Sequence, residues 1–198
     1  YRFRSSSDDR DMDLDEYLIA DIGEADRHTI TAHVFLRANE DLDGDRNTVW
    51  FFGFDSINDT YTNNFNARFY YGHIDVHRLG PLEIGRVGRQ IMDETPVFLY
   101  FDGVSAESVA CKSFGSLQMG LYGGVPVHPY ESSPSGDSIF GGFIQGRPWT
   151  GGRLRADITH VQDDYTEGTQ KNDLIGLAYW QTCGKLFQVH ARHTILEG

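Results

Sequence analysis

The sequence has little basic charge, few cysteines and no long apolar run, and each shortage argues against a class of protein. Seventeen Lys and Arg against 29 Asp and Glu in 198 residues give a net charge of −12, which argues against nucleic acid or an anionic lipid surface as partner. Two cysteines do not make a disulfide framework. The longest apolar stretches are Val49–Phe54, Val97–Tyr100 and Leu174–Trp180. They fall far short of the ~20 residues of a membrane helix, which argues against one. A membrane β-barrel is still compatible with the sequence, because its strands need only alternate apolar and polar residues.

Glycine and aromatic residues are abundant instead. The chain contains 22 Gly, and Phe, Tyr and Trp make up 13% of it. Such a composition suits many short strands joined by turns, and it also suits the aromatic girdles of outer-membrane barrels. Hydrophobic residues are 39% of the chain, too many for a disordered protein.

The dominant pattern has a period of two residues, as in β-strands. Leu154, Ala156 and Ile158, for example, alternate with polar residues that include Arg155 and Asp157. The pattern predicts roughly ten strands among the segments 2–6, 14–23, 28–38, 48–55, 66–78, 82–90, 97–110, 114–123, 138–147, 152–162, 171–181 and 184–195. The polar face is rich in Arg, Asp, His, Gln and Tyr, which can pair with one another across a water-filled interior. The polar face of a soluble sheet is usually rich in Lys, Glu and Thr instead.

The links between these segments alternate in length. Tight links are predicted near residues 24–26, 79–81, 111–115, 149–152 and 182–184, and long ones near 38–64, 90–97, 123–136 and 162–172. Outer-membrane barrels alternate in this way because one rim has short turns and the other has long external loops.

The middle of the chain carries a family resemblance. The segments are Arg68–Val76, then Leu82–Gln90 with its Arg-Val-Gly-Arg-Gln ending, and Phe101-Asp102-Gly103-Val104 after a loop. They resemble the porin-like and alginate-export-like outer-membrane β-barrels of Gram-negative bacteria. The resemblance implies a barrel of about 14 to 18 strands, for which this chain is too short. We therefore expect residues 1–198 to be a single β-barrel domain truncated at both ends.

The fold expected is all-β: an antiparallel up-and-down transmembrane β-barrel, here an incomplete one of about 10–12 strands. The apolar rows would face lipid. Arg86 and Arg89 are three residues apart, so a bulge is needed to bring both to the lumen. The predicted pore-lining residues are His33, Arg37, His73, Asp75, Arg86, Arg89, Arg153, Arg155, Asp157, His190 and Arg192.

No metal site, cofactor or catalytic site is predicted. His73, Asp75 and His77 share one strand face, but same-face neighbours lie roughly 6.5–7 Å apart and rarely converge on one ion. Asp41, Asp43 and Asp45 resemble the start of a calcium loop without its distal Glu, so they are a weak calcium candidate in an acidic loop. The sequence contains no G-x-S-x-G, H-E-x-x-H or C-x-x-C motif, and we expect no enzyme activity.

The expected function is that of a porin in the bacterial outer membrane. It would pass or export small hydrophilic solutes, anionic ones among them, by diffusion. Its partners would be outer-membrane lipid, lipopolysaccharide and these solutes, with no nucleic acid; the sequence does not define an oligomer. The alternative is a soluble β-sandwich or lipocalin-like module that binds a carbohydrate or another ligand. Cys111 and Cys183 fall in predicted turns about 14–15 Å apart, so two free thiols are expected.

Overall fold

The computed structural model describes residues 2–5, 10–42, 65–127, 136–165 and 168–197. Its strands are β1 Arg2–Ser5, β2 Arg10–Ile22, β3 Ile30–Asp41, β4 Phe65–Leu79, β5 Leu82–Met92, β6 Leu99–Ser108, β7 Gln118–Pro126, β8 Ser138–Gly146, β9 Gly152–Tyr165, β10 Gly168–Cys183 and β11 Phe187–Glu197. One short 3₁₀ helix, Lys112–Phe114, precedes β7. The expectation of an all-β chain is therefore confirmed.

The strands follow one another in chain order in an antiparallel up-and-down sheet. Within the described residues this sheet is not closed into a barrel. By its internal contacts the chain divides into two compact units. Unit 1 contains residues 1–21 and 33–72, and unit 2 contains residues 22–32 and 73–198.

Most predicted strands lie where the alternation placed them, but three segments need comment. The predicted strand 48–55 lies outside the described residues. The predicted strand start at residue 114 is wrong, because the 3₁₀ helix ends there and Gly115 adopts a left-handed conformation. The predicted long link 162–172 is also wrong, since β9 and β10 stay paired as far as Tyr165 and Gly168.

The two faces of the sheet in unit 2 differ sharply in burial. On β9 the polar residues Arg155, Asp157 and Thr159 are at most 5% exposed, while Leu154 and Ile158 between them are 41% and 58% exposed. Further exposed apolar side chains of unit 2 are Ile74, Val87, Val104, Met119, Leu121, Phe140, Ile144, Ile175, Leu177 and Val189. We call the buried face of unit 2 the inner face and the exposed one the outer face. An ordinary soluble antiparallel sheet has the opposite arrangement.

The inner face also holds a small apolar cluster. Leu99, Phe101, Tyr122 and Ile139 are buried together, with Met92 and Val161 packed against them. The Tyr122 hydroxyl lies 2.6 Å from the Thr159 hydroxyl, so the cluster ends at a polar contact. Phe143, Leu174 and Ala178 are further buried apolar residues of this face, so the inner face combines apolar packing with buried charges.

Unit 1 shows its own polar contacts between strands. His33 Nδ1 lies 2.6 Å from an Asp21 carboxylate oxygen, and Arg37 Nη2 donates to Asp15 at 2.9 Å. Phe35 stacks on Tyr70 with ring centroids 4.8 Å apart. The polar row of β3 thus pairs with neighbouring strands of the same unit.

Candidate functional site

Two deeply buried charges of unit 2 form an ion pair on β9. Arg155 Nε and Nη2 donate to Asp157 Oδ1 at 2.9 and 2.8 Å. The Arg155 guanidinium carbon also lies 3.7 Å from the centroid of the Phe143 ring. Same-face positions i and i+2 allow this pairing along one strand, so alternation itself puts both charges on the inner face.

The link between β5 and β6, residues 93–98, crosses the inner face to reach β9 and β11. We call it the crossing link. Its Glu94 accepts hydrogen bonds from Arg153 Nη1 at 2.8 Å and from Arg155 Nη1 at 3.3 Å. Its Thr95 is fully buried, and the Thr95 carbonyl accepts a hydrogen bond from Arg192 Nη1 at 2.9 Å. Side chains of two distant strands therefore hold this link against the sheet.

A glycine allows the link to lie close to β10. A Cβ atom built on Gly176 would lie 2.7 Å from Pro96 Cγ. The Thr194 hydroxyl also reaches the Pro96 carbonyl, at 3.5 Å. The link therefore packs closely on the strands beneath it.

Glu94 is the acidic centre of this arrangement. Its hydrogen bond with Arg153 lowers its pKa below the ordinary value, and the charges of Arg155 and Arg192 act in the same direction. Burial alone would raise the pKa of Glu94, but this effect is smaller than that of the hydrogen bond. Glu94 is therefore an anion at neutral pH.

Arg153 also forms part of an aromatic stack. Its guanidinium carbon lies 4.3 Å from the Trp180 ring centroid, and the Trp180 and His190 rings stack with centroids 4.6 Å apart. The strand register places these three residues side by side across β9, β10 and β11. Two of the predicted pore-lining residues, Arg153 and His190, are thus brought together through Trp180, which the prediction did not include.

A second ion pair occupies the β4–β5 side of the inner face. Arg86 Nε and Nη2 donate to the two oxygens of Asp75 at 2.7 and 2.8 Å, and Asp75 is 2% exposed. His73 Nε2 lies 3.8 Å from Asp75. His77, which shares their strand face, hydrogen-bonds Thr31 instead, at 2.9 Å.

A small polar cavity lies between the crossing link and β5, β6 and β9. Its volume is about 180 Å³, room for about six water molecules at ~30 Å³ each. Its charged lining side chains come from all four elements: Arg86, Asp93, Glu94, Glu107 and Arg155. The inner face therefore has a polar, charged cavity at this point.

Arg89 lies on the other face. The register from Ile84 to Met92 is regular, and the irregularity in β5 falls between Leu82 and Ile84. The expected bulge between Arg86 and Arg89 is therefore not there. Arg89 makes a bidentate pair with Asp102 on the outer face, with N–O distances of 2.7 and 2.6 Å.

The structure places the other predicted residues as follows. His33 and Arg37 make the contacts already described in unit 1, and Arg192 faces the crossing link. Of the weak calcium candidates, Asp43 and Asp45 lie outside the described residues. Cys111 and Cys183 are both free and exposed.

Sequence reasoning missed Glu94 and Thr95. It predicted a long link near residues 90–97, but not that residues 93–96 would meet β9 and β11. An acidic residue in a short link gives no sign of a partner about sixty residues away. The one available signal was that Arg153 and Arg155 follow each other on one face of β9 with one nearby acidic residue, Asp157.

Comparison with known proteins adds no relative. No family model, curated protein or solved structure matches this chain. No helix in the described ranges has the length and apolar character of a membrane span.

Proposed function

We propose that this chain is part of the wall of an outer-membrane β-barrel channel that lets small hydrophilic solutes diffuse or be exported. The lipid-facing surface is the outer face of unit 2, and the inner face lines the solute path. Selectivity comes from the width of the path and the sign of its charges, without covalent chemistry. The protein belongs, on this proposal, in the outer membrane of a Gram-negative bacterium, in contact with lipid and lipopolysaccharide.

One observation carries the proposal, namely the reversed burial of the two faces. Arg155 is 5% exposed while Leu121 on the outer face is 70% exposed. In water an extensive exposed apolar face costs free energy, at roughly 25 cal/mol per Å². In a bilayer the same face is favourable, and the charges need the wet side.

The crossing link adds support. A link that folds across the inner face narrows any passage along that face. It brings Glu94 against Arg153 and Arg155, so opposite charges meet where the link covers the inner face. Such charges act on polar solutes at short range in a low-dielectric wall.

The outer pair of Arg89 and Asp102 is compatible with a lipid-facing surface. Arg89 is three residues from the end of β5, beside the crossing link, and its guanidinium carbon lies 5.8 Å from the Tyr100 ring centroid. Paired charges and aromatic rings suit the edge of a bilayer better than its centre.

The alternative is the soluble β-sandwich or lipocalin-like module. The inner apolar cluster around Phe101 and Tyr122 favours it, because a soluble barrel keeps its apolar side chains inside. The exposed apolar rows on β7 to β10 argue against it. The two functions differ in the surroundings of the outer face, which can be measured.

The test compares tryptophans placed on and off the outer face. The chain is refolded into phosphatidylcholine vesicles that carry brominated acyl chains, and the variants are Leu121→Trp and Leu186→Trp. Leu121 is on β7, whereas Leu186 is 85% exposed in the β10–β11 turn. We expect strong added quenching for Leu121→Trp and little for Leu186→Trp, relative to the unmodified chain.

Circular dichroism in buffer and in detergent micelles accompanies this test. β structure that forms only with detergent, together with quenching at Leu121→Trp, supports the proposal. A folded β spectrum in buffer alone, with equal quenching of the two variants, refutes it and favours the soluble module. Swelling of proteoliposomes in isotonic arabinose then measures passage of a solute.

A further inference from the structure

An apolar groove of about 650 Å³ crosses the outer face of unit 2. It lies near the ends of β8 to β11 where the chain makes its turns. Two rows of side chains form its floor, since Ile144, Ala156 and Leu177 are register neighbours, as are Gly146 and Leu154. The small residues leave a depression between the leucines.

The mouth of the groove is formed by two neighbouring links. Phe114, which is 75% exposed, and Pro148 line it there. The Arg147 amide donates to the Gly115 carbonyl at 2.6 Å, and this bond holds the two links together. The mouth therefore joins two hydrogen-bonded links and has an exposed aromatic ring at its lip.

Two exposed cations belong to the links that form this mouth. Arg147 directly precedes Pro148, and Lys112 lies two residues before Phe114. Neither makes an ion pair within the described part of the chain. In a chain with a net charge of −12, two cations without acidic partners beside an apolar groove complement a ligand with an apolar body and an anionic head.

We infer that the groove binds one phospholipid, with an acyl chain between Leu154 and Leu177 and its phosphate against Lys112 and Arg147. The inference rests on the proposed function, which turns the outer face toward lipid. A peptide strand cannot add to the floor of the groove, because β8, β9 and β10 are hydrogen-bonded on both sides. An acyl chain needs only apolar surface.

The experiment measures lipid retained by the chain in detergent micelles, by native mass spectrometry. The probes are dimyristoylphosphatidylglycerol and dimyristoylglycerol, which has the same acyl chains without the phosphate. We expect one retained phosphatidylglycerol per chain and several-fold less of the diacylglycerol. The double variant Lys112→Ala/Arg147→Ala should lower phosphatidylglycerol retention by about tenfold or more, to the level of the diacylglycerol.

Filling the groove should act differently from removing the charges. Ala156→Leu places a larger side chain on the floor and should lower retention of both lipids. Ala191→Leu, from the β11 side of the groove, is a second variant in case the first disturbs folding, which circular dichroism reports. Lys185→Ala, in the adjacent β10–β11 turn and outside the groove, is the matched charge control. It should leave the retention of both lipids unchanged.

The outcomes separate this inference from the proposed function. Loss of phosphate preference in the double variant, with loss of both lipids in Ala156→Leu or Ala191→Leu, supports the groove. Entry into vesicles by the Leu121→Trp test, with lipid retention equal in all folded variants, overturns the inference and leaves the proposed function standing. Failure to enter vesicles overturns both.

Discussion

Replacing Arg155 by methionine should destabilise the chain strongly, because it leaves a buried carboxylate without its cation. The side chains of Arg155 and Asp157 are only 4% and 2% exposed. Breaking a buried pair of this kind by removing one partner costs about 3–5 kcal/mol. Arg155 Nε and Nη2 donate to the Asp157 oxygens within 3.1 Å, and its Nη1 donates to Glu94 at 3.3 Å. Methionine replaces none of these three donors.

Removing both charges should cost much less. The variant Arg155→Met/Asp157→Leu takes away the anion together with the cation, and such apolar replacements are commonly neutral or stabilising, by about 1–4 kcal/mol. We therefore expect the double variant to recover most of the loss. The difference between the single and double variants measures the coupling of the pair.

The outer pair provides the matched control. Arg89 and Asp102 have the same bidentate chemistry, but their side chains are 22% and 48% exposed. At the water-facing edge of the bilayer, where the proposed function puts this pair, solvent screens it, so Arg89→Met should cost about 0.2–1 kcal/mol. The contrast isolates burial as the cause.

The assay is equilibrium urea unfolding in the medium in which the chain folds, followed by tryptophan fluorescence. A cost below about 1 kcal/mol for Arg155→Met would refute the reasoning, since it would mean that water solvates Asp157 as soon as the cation is removed. An equal cost for Arg155→Met and Arg89→Met would refute it too.

Three further predictions concern the inner face. The pKa of Glu94 is lowered in the folded chain by its hydrogen bond with Arg153. The contact should therefore be complete above the ordinary Glu pKa and be lost as the pH falls through the lowered value. A pH titration of tryptophan fluorescence checks this, and Glu94→Gln should abolish the transition. Gly176→Val should push Pro96 away and cost about 1–3 kcal/mol in urea unfolding, and an unchanged midpoint would contradict the close packing. Asp75→Asn, which removes the charge from a carboxylate that accepts two guanidinium hydrogen bonds, should cost about 1.5–3 kcal/mol, and calorimetry in the same medium measures it.

The strands were predictable because their signal is local. Alternation over five or six residues identifies a strand and its two faces, and on β9 it separated Arg155 and Asp157 from Leu154 and Ile158 correctly. The β9–β10 hairpin was predicted too short because its end, including Asp163 and Asp164, is polar on both faces. Without an apolar row, a paired strand has the same pattern as a loop.

The crossing link was not predictable, because its contacts depend on the whole sheet. Glu94 meets Arg153 and Arg155 only when the strands between them have paired in order. No property of residues 93–98 alone identifies β9 or β11 as the strands that they contact. The same limit explains the miss of Trp180, whose position between Arg153 and His190 follows from register across three strands.

The arginines of the inner face show that residue types predict where charged side chains lie better than they predict the electrostatic field there. From the sequence, they are predicted to line the pore together with Asp75 and Asp157. In the structure Arg86 pairs with Asp75, Arg155 with Asp157, and Arg153 with Glu94, so each positive charge lies within 3 Å of a negative one. Among the inner arginines of the described residues, Arg192 is the one hydrogen-bonded to backbone carbonyls and to no carboxylate. The row is therefore largely neutralised, and a preference of this face for anions rests on Arg192.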